Sequence, residues 1–189
     1  MKIIQLVVLA FFCVSCGIQS IPQSLNEVDA SWAEVLNQYK RRTDLIPNLV
    51  NTVKGYAKHE QETLEKVVSA RAEATKMTVD ASSLSPENLK KIQQSQQGLS
   101  QALGKLMMVA EKYPDLKANE NFRDLQSQLE GTENRITIAR RRYIDTVKDF
   151  NNLVTVFPTS IANSLFFHHE KKPQFTIAEE EKATPKVQF

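Results

Sequence analysis

Turn-forming residues, cysteines and an excess of one charge are all scarce in this chain. It has 5 glycines and 7 prolines among 189 residues, below the usual shares of about 7% and 5%, which disfavours a sheet fold with many tight turns. Its two cysteines, Cys13 and Cys16, lie near the N-terminus, so the rest of the chain has no disulfide or thiol chemistry. Because 24 basic residues balance 22 acidic ones, the long-range positive field that nucleic-acid binding needs is lacking, and no nucleic-acid partner is expected.

Helix-forming residues dominate what remains. Gln, Lys, Glu, Leu and Ala are abundant, and apolar residues recur at steps of three and four positions, as on one face of a helix. The length suffices for one core and one domain. Because short loops between long helices make neighbours antiparallel, we predict an all-α fold, an elongated antiparallel up-and-down bundle of about four long helices.

The N-terminus has the layout of a signal peptide. Lys2 precedes a run over residues 3–14 that is apolar at all but one position; as a helix it measures about 18 Å, short of the roughly 30 Å hydrocarbon core of a bilayer. A small residue then precedes Cys16, which resembles the bacterial lipobox, although Cys13 stands where that motif usually has Leu. We predict a signal peptide over residues 1–15 and lipidation at Cys16. The alternative is an uncleaved N-terminal helix that makes a single-pass membrane protein.

Turn signals divide the rest of the chain into three parts. We expect a lipid-anchored tether over residues 16–23, broken at Pro22, then a helical bundle over residues 24–167 and a flexible tail over residues 168–189. A break or bend is also expected at Pro47, since proline disfavours helical geometry in the residue before it. The predicted helices, with Ser85 and Asn119 as N-caps of the last two, run over about 25–45, 48–77, 86–113 and 120–157.

Several ordered segments of the chain resemble the LemA family. The matching segments are Arg41–Val50, Gly55–Glu60, Tyr113–Asn119, Phe122–Gln126, Gly131–Ile136, Arg140–Tyr143 and Phe157–Pro158. The resemblance extends from about Cys16 to Phe189. It implies a helical bundle of the bacterial envelope, outside the cytoplasmic membrane or tethered to a membrane, and it implies no particular reaction.

The residues that suggest metal chemistry do not complete a motif. His59-Glu60 begins a zinc-protease signature, but Thr63 occupies the position of its second histidine. A di-iron bundle needs Glu-x-x-His on two helices, whereas His168 and His169 lie beyond the predicted fourth helix. No nucleophile with a paired base and no glycine-rich phosphate loop is visible. We therefore expect no enzyme, no metal site and no cofactor.

Four charged residues fall on or beside the apolar helix stripes: Glu60, Arg71, Glu133 and Arg140. An isolated buried charge costs several kcal/mol, so inward members should pair, with arginine offering its planar fork to a carboxylate. Three interpretations stay open. The charges reach water from the edge of the stripe, form an ionic layer that sets the helix register, or line a groove for a ligand.

Two other features bear on contacts outside the bundle. The basic runs at residues 40–42 and 140–142 are expected to be solvated collars, each with one inward member, because consecutive helical residues point about 100° apart; the alternative is contact with anionic headgroups or an acidic partner. The apolar side chains of Ile161 and 165–167 are expected to pack over the end of the bundle. Shallow insertion into a membrane interface is the less favoured alternative.

These patterns together favour a membrane-anchored helical scaffold or interaction protein of the bacterial cell envelope, with an unidentified envelope protein as its partner and the bundle outside the cytoplasm. The alternative is a binding protein for a lipid or another small ligand in a groove between helices. A pocket of about 300 Å³ or more with apolar and convergent polar lining favours the ligand. A filled core with a flat apolar patch favours the scaffold.

Overall fold

Helices make up most of the chain. This computed structural model describes residues 2–77 and 79–175, and side chains from residue 19 onward. No strand occurs in these ranges, which confirms the all-α prediction. The helices are α1 (Lys2–Tyr56), α2 (Gln61–Lys76), α3 (Pro86–Ala110), α4 (Pro114–Ala118), α5 (Glu120–Thr155) and α6 (Thr159–Ala162), with a 3₁₀ turn at Ala81–Ser83 and a π turn at Asn163–Phe167.

The long helices form an up-and-down bundle, as predicted. α2 folds back along α1, so that the Nε atom of Arg71 donates to the carbonyl of Thr43 at 2.9 Å, and α3 then returns beside α2. α5 is antiparallel to α1 over most of the bundle. Three contacts trace this pairing: Ser31 with Thr146 at 2.8 Å, Arg42 with Glu133 at 2.5 Å, and Tyr56 with Asn119 at 2.9 Å.

The expected break at Pro22 does not occur. α1 continues through this proline, and the segment over residues 16–23 that we expected to be a tether is helical. Proline removes one backbone donor from a helix but does not remove the packing around it. Ile21 beside it is fully buried, so tertiary contacts hold the helix at this point.

Pro47 is likewise accommodated within α1, so of the break or bend expected there, the break does not occur. Its neighbours Ile46 and Leu49 are fully buried, and these contacts outweigh the local preference against helix. The chain instead leaves the helix after Tyr56 and turns over residues 57–60. The helix predicted over residues 48–77 is therefore divided.

Both predicted N-caps are confirmed. The hydroxyl of Ser85 accepts a hydrogen bond from the backbone N–H of Asn88 at 3.1 Å, at the start of α3. The side-chain oxygen of Asn119 accepts one from the N–H of Phe122 at 3.0 Å, at the start of α5. Each cap satisfies a donor that the first helical turn leaves open.

Buried apolar residues form two clusters along the bundle axis. The proximal core, which lies toward the N-terminal end of α1, contains Ile21, Val28, Trp32, Val35, Tyr39, Leu84, Leu89, Ile92, Ile136, Ala139, Tyr143, Val147, Phe150, Val154, Ala162 and Phe175. The distal core contains Ile46, Leu49, Val53, Ala57, Leu64, Val67, Ala74, Leu99, Ala102, Leu103, Leu106, Ala110, Leu116, Phe122 and Leu129. Most of the apolar residues that recur at steps of three and four along the helices therefore lie inside the bundle.

Two aromatic residues near the ends of helices are exposed. Tyr56 is 43% exposed and Phe157 is 75% exposed. Tyr56 is the last residue of α1, and Phe157 follows the end of α5.

The C-terminal segment returns along the bundle. Residues 168–175 were predicted to begin a flexible tail, but the side chain of Asn151 bonds the backbone N–H and carbonyl of Lys172 at 2.8 and 3.0 Å. Phe175 is buried in the proximal core. The prediction is thus wrong for residues 168–175, and residues 176–189 lie outside the described residues.

The predicted signal peptide and lipidation site fall at the N-terminal end of α1. The predicted signal peptide over residues 1–15 and the side chain of Cys16 lie outside the described side chains. Among the residues that the structure describes, no helix combines the length and apolarity that a membrane span requires.

Candidate functional site

A polar layer separates the two cores. We define it by Arg42 on α1, Gln96 and Ser100 on α3, and Glu133 on α5. On each of these helices, the residues one turn to either side belong to different cores. The flanking pairs are Tyr39 and Ile46 on α1, Ile92 and Leu99 on α3, and Leu129 and Ile136 on α5.

Arg42 is the centre of this layer. It is only 2% exposed, and its Nη1 atom donates to Glu133 Oε2 at 2.5 Å and to Ser100 Oγ at 3.0 Å. Its Nη2 atom donates to the side-chain oxygen of Gln96. The Nε atom has no hydrogen-bond partner among the described residues. One guanidinium thus joins three helices.

The two charges of the layer differ in their access to water. The side chain of Glu133 is 53% exposed, whereas that of Arg42 is 3% exposed. The desolvation penalty therefore falls mainly on the arginine, and its hydrogen bonds to Gln96, Ser100 and Glu133 offset this penalty. Shifting α3 by two turns would place a buried leucine against the guanidinium. The layer therefore favours one register of the helices over its neighbours.

A tyrosine lies beside the layer. Tyr39 is 5% exposed, and the Arg42 guanidinium carbon lies 5.9 Å from the centre of its ring. Burial raises the pKa of the Tyr39 hydroxyl, although the positive charges of Arg140 and Arg42 lower that pKa in part. The phenol therefore stays neutral at physiological pH and is not a candidate base.

The structure separates the four charged residues that the sequence grouped. Glu133 belongs to the polar layer, and Arg71 reaches its flank by donating to the carbonyl of Thr43. Glu60 lies at the distal end, where it accepts a 3.4 Å hydrogen bond from the hydroxyl of Tyr113. Arg140 lies two turns from Glu133 along α5.

The environment of Arg140 is aromatic. Its guanidinium carbon lies 4.6 Å from the ring centre of Phe175, close enough for a cation–π contact. It therefore holds the C-terminal segment rather than a carboxylate. Of the run at residues 140–142, Arg140 alone is partly buried, which matches the expected collar with one inward member.

Sequence reasoning missed the role of Arg42. In the run at residues 40–42, Lys40 and Arg41 are exposed and Arg42 is buried, as expected of a collar with one inward member. The apolar stripe of α1 advances by alternate steps of four and three through Trp32, Val35, Tyr39, Arg42, Ile46 and Leu49. Because Arg42 occupies a position in that stripe, periodicity alone could have identified it.

A surface groove lies at the junction of α5 and α6. Its volume is about 390 Å³, and it is shallow and open to solvent. It is lined by three apolar and three polar residues: Leu153, Val156, Phe157, Asp149, Asn152 and Thr159. No group of three His, Cys, Asp or Glu side chains among the described residues is arranged to hold a metal ion.

Comparison with known proteins identifies the chain's relatives. The sequence model of the LemA family matches residues 31–189, which include the whole polar layer and α2 to α6. The chain is also similar to Protein LemA of Metamycoplasma hominis, with 27% identity over 159 residues, 79% of this chain and 69% of that protein. The match extends over most of the bundle, and the chain belongs to the LemA family.

Proposed function

We propose that this protein is a membrane-anchored scaffold of the bacterial cell envelope whose helical bundle lies outside the cytoplasm and binds an envelope protein. The continuity of α1 carries this proposal. The helix runs from the N-terminal segment into both cores without interruption. A lipid at Cys16 would be about 7.5 Å along the helix from buried Ile21. Such an anchor holds the bundle by a rigid connection.

The interior of the bundle supports a scaffold without catalytic activity. Two cores fill its length, and the guanidinium of Arg42 bonds to neighbouring helices. The charges in the interior therefore serve the packing of the bundle. Membership of the LemA family is compatible with an envelope protein. A partner protein would then bind the lateral surface or the distal end.

Anchoring can be tested with two cysteine variants produced in a bacterial host. Cys16→Ser should abolish incorporation of labelled fatty acid and leave the precursor at full length, still held in washed membranes by its uncleaved apolar segment. Cys13→Leu is the matched control, because it gives that position the residue usual in a lipobox and should leave labelling intact. Labelling, mobility in gel electrophoresis and membrane fractionation measure the three effects.

The lipoprotein assignment is wrong if the unaltered protein carries no labelled fatty acid and runs at full precursor length, since the apolar N-terminal helix itself would then be the anchor. Partner binding needs a second measurement. Crosslinking in intact cells from the exposed residue His59, at the distal turn, should yield a defined adduct with an envelope protein. Absence of an adduct from this turn and from exposed sites on α2, α3 and α5 would contradict the scaffold role.

The groove at the junction of α5 and α6 favours a second candidate function, the binding of a lipid or another small ligand. Its volume of about 390 Å³ falls within the roughly 300–1,000 Å³ typical of ligand sites, and its lining is half apolar. Mass spectrometry of the protein purified in its native membrane would detect a ligand. Asn152→Leu should reduce its occupancy, with Asn134→Leu on an exposed face of α5 as the control.

A further inference from the structure

Large exposed apolar side chains are concentrated at one corner of the bundle. Of the nine that occur among the described side chains, five lie within residues 156–166. We call these five the apolar corner: Val156, Phe157, Ile161, Leu165 and Phe166, each between 50% and 75% exposed. The packing over the end of the bundle that we favoured from sequence is therefore wrong for Ile161, Leu165 and Phe166.

Internal hydrogen bonds fix the shape of this corner. Asn163 is 8% exposed, and its side-chain amide donates to the carbonyls of Val154 and His169 at 3.4 and 3.0 Å. Its side-chain oxygen accepts from the N–H of His169 at 3.0 Å. The polar asparagine thus points inward while the neighbouring leucine and phenylalanine point outward. Such a surface suits an apolar or interfacial environment better than water.

The position of the corner identifies which surface it meets. Because α1 and α5 are antiparallel, the end of α5 lies beside the part of α1 that enters the bundle. Ile21 and Ala162 belong to the same proximal core. Cys16 precedes Ile21 by five helical residues, about 7.5 Å along the axis. The apolar corner and the proposed lipid anchor therefore lie at the same end of the molecule.

We propose that the apolar corner inserts into the interfacial region of the membrane that holds the N-terminus, so that the bundle stands on the lipid surface at two points. This inference rests on the proposed function, because the N-terminal anchor brings the corner to the membrane. α1 continues for 35 residues from Ile21 to Tyr56, about 53 Å. The turn at the distal end, residues 57–60, is accordingly held far from the lipid, where it is accessible to a partner protein.

Apolar burial, rather than charge, drives the insertion. The sequence around the corner, residues 148–172, contains three lysines, Lys148, Lys171 and Lys172, and two carboxylates, Asp149 and Glu170, which leave a net charge of +1. That charge favours anionic headgroups only weakly, whereas aromatic and leucine side chains gain by leaving water at an interface. The insertion should therefore depend little on salt.

Tryptophan fluorescence in vesicles tests this proposal with the full-length, anchored protein. Phe166→Trp places a reporter in the apolar corner, and Ile138→Trp is the matched control, because Ile138 is 68% exposed on the side of α5. Vesicles of phosphatidylethanolamine and phosphatidylglycerol carry bromine near the headgroup end of the acyl chains. The emission of Trp32, buried in the core, is subtracted using the unmodified protein.

The proposal predicts that brominated lipid removes most of the emission that Phe166→Trp adds and shifts it to shorter wavelength, while the emission added by Ile138→Trp is unaffected. If the vesicles float with the protein but neither added signal is quenched, the inference is wrong and the anchor stands. A blue-shifted, unquenched signal together with crosslinked dimers would show that a second copy covers the corner, which also overturns it. If the protein does not float with the vesicles, the anchoring proposal itself fails.

Discussion

The two cores of the bundle are filled by different kinds of residue. The distal core is closed by α1, α2, α3 and α5, and most of its buried side chains are leucine, valine, isoleucine or alanine. The proximal core includes Trp32, Tyr39, Tyr143, Phe150 and Phe175. α2 ends at Lys76, and irregular chain from the α2–α3 loop and the C-terminal segment packs where a fourth helix would otherwise lie.

The aromatic residues of the proximal core bind those irregular segments through their polar atoms. Trp32 Nε1 donates to the carbonyl of Val79 at 2.8 Å, and the hydroxyl of Tyr143 donates to the carbonyl of Pro173 at 3.0 Å. A helix satisfies its own carbonyls, but an irregular segment at a core needs donors from elsewhere. Tryptophan and tyrosine supply both a large apolar surface and such a donor. Aliphatic side chains suffice where only helices meet.

We expect the largest loss of stability when the Trp32 ring is removed. Trp32→Ala should lower the free energy of unfolding by about 3–5 kcal/mol, because the ring is 1% exposed and touches Tyr143 at a ring separation of 5.2 Å. Trp32→Phe keeps much of the ring but leaves the Val79 carbonyl without its donor, and should cost about 1–2 kcal/mol. Urea unfolding followed by circular dichroism measures both.

Ile138→Ala is the control for this comparison, since Ile138 is 68% exposed and its truncation should change stability by less than about 0.5 kcal/mol. Equal costs for Trp32→Ala and Trp32→Phe would mean that the hydrogen bond, and not the ring, ties the loop to the core. The contrast between aromatic and aliphatic packing would then lose its basis.

The polar layer provides a second test, because it marks the boundary between the cores. Gln96→Leu removes the side-chain partner of Arg42 Nη2 and leaves that atom only a 3.4 Å hydrogen bond to the backbone carbonyl of residue 96. The weakened pairing of a buried charged donor should lower stability by about 2 kcal/mol. Adding Arg42→Met removes the charge as well. The double variant should be more stable than Gln96→Leu alone, because two apolar side chains then fuse the cores. A double variant less stable than the single one would show that the arginine stabilises through contacts other than Gln96.

Much of this arrangement was predictable from sequence. The apolar periodicity identified most buried positions of α1, α3 and α5, because side-chain direction in a helix depends only on spacing. The same periodicity places Arg42 and Gln96 on their stripes. The stripes do not show how the helices are aligned with one another. That alignment places Arg42 and Gln96 at the same level of the bundle as Glu133.

Other features depended on tertiary contacts that the sequence does not display. The local rule for proline predicts a break at Pro22 and at Pro47, yet buried neighbours hold both within α1. Phe175 lies in a charged, proline-containing stretch that is typical of mobile tails. Its burial depends on Arg140 and Tyr143, which lie more than thirty residues away. No local signal distinguishes this phenylalanine from one in a disordered segment.

Loss of the docked C-terminal segment should lower stability less than Trp32→Ala or Gln96→Leu does. Phe175→Ala should lower stability by about 1.5 kcal/mol, since the lost contacts are the Arg140 guanidinium and the rings of Tyr143 at 5.4 Å and Trp32 at 6.0 Å. Hydrogen exchange should accelerate at the Lys172 amide, which donates to Asn151. Phe166→Ala, in the apolar corner, is the control and should leave that amide protected. Unchanged exchange in Phe175→Ala would show that Asn151 alone holds the segment.

The smallest expected effect is on the pH dependence of stability. It should differ between Tyr143 in the proximal core and Tyr56 at the distal end. Burial, with a further contribution from Asp29, raises the pKa of Tyr143 in the folded protein, whereas the unfolded chain has a tyrosine pKa of about 10. Both states keep the proton below that pH. Above it, the unfolded chain releases a proton that the folded protein retains, so stability falls as pH rises. Tyr143 should contribute a loss of about 1 kcal/mol over the first pH unit above 10.

Tyr143→Phe should remove this contribution and flatten the decline, measured as the difference between urea unfolding curves at pH 9 and pH 11. At neutral pH the variant loses the hydrogen bond to Pro173, at a cost of about 1 kcal/mol. Tyr56→Phe is the matched control, because Tyr56 is 43% exposed at the distal end, and its removal should leave the decline unchanged. A decline that neither variant flattens would mean that Tyr143 gains water access before the bundle unfolds. The irregular segments over the proximal core would then open locally, which the regular helices of the distal core should resist.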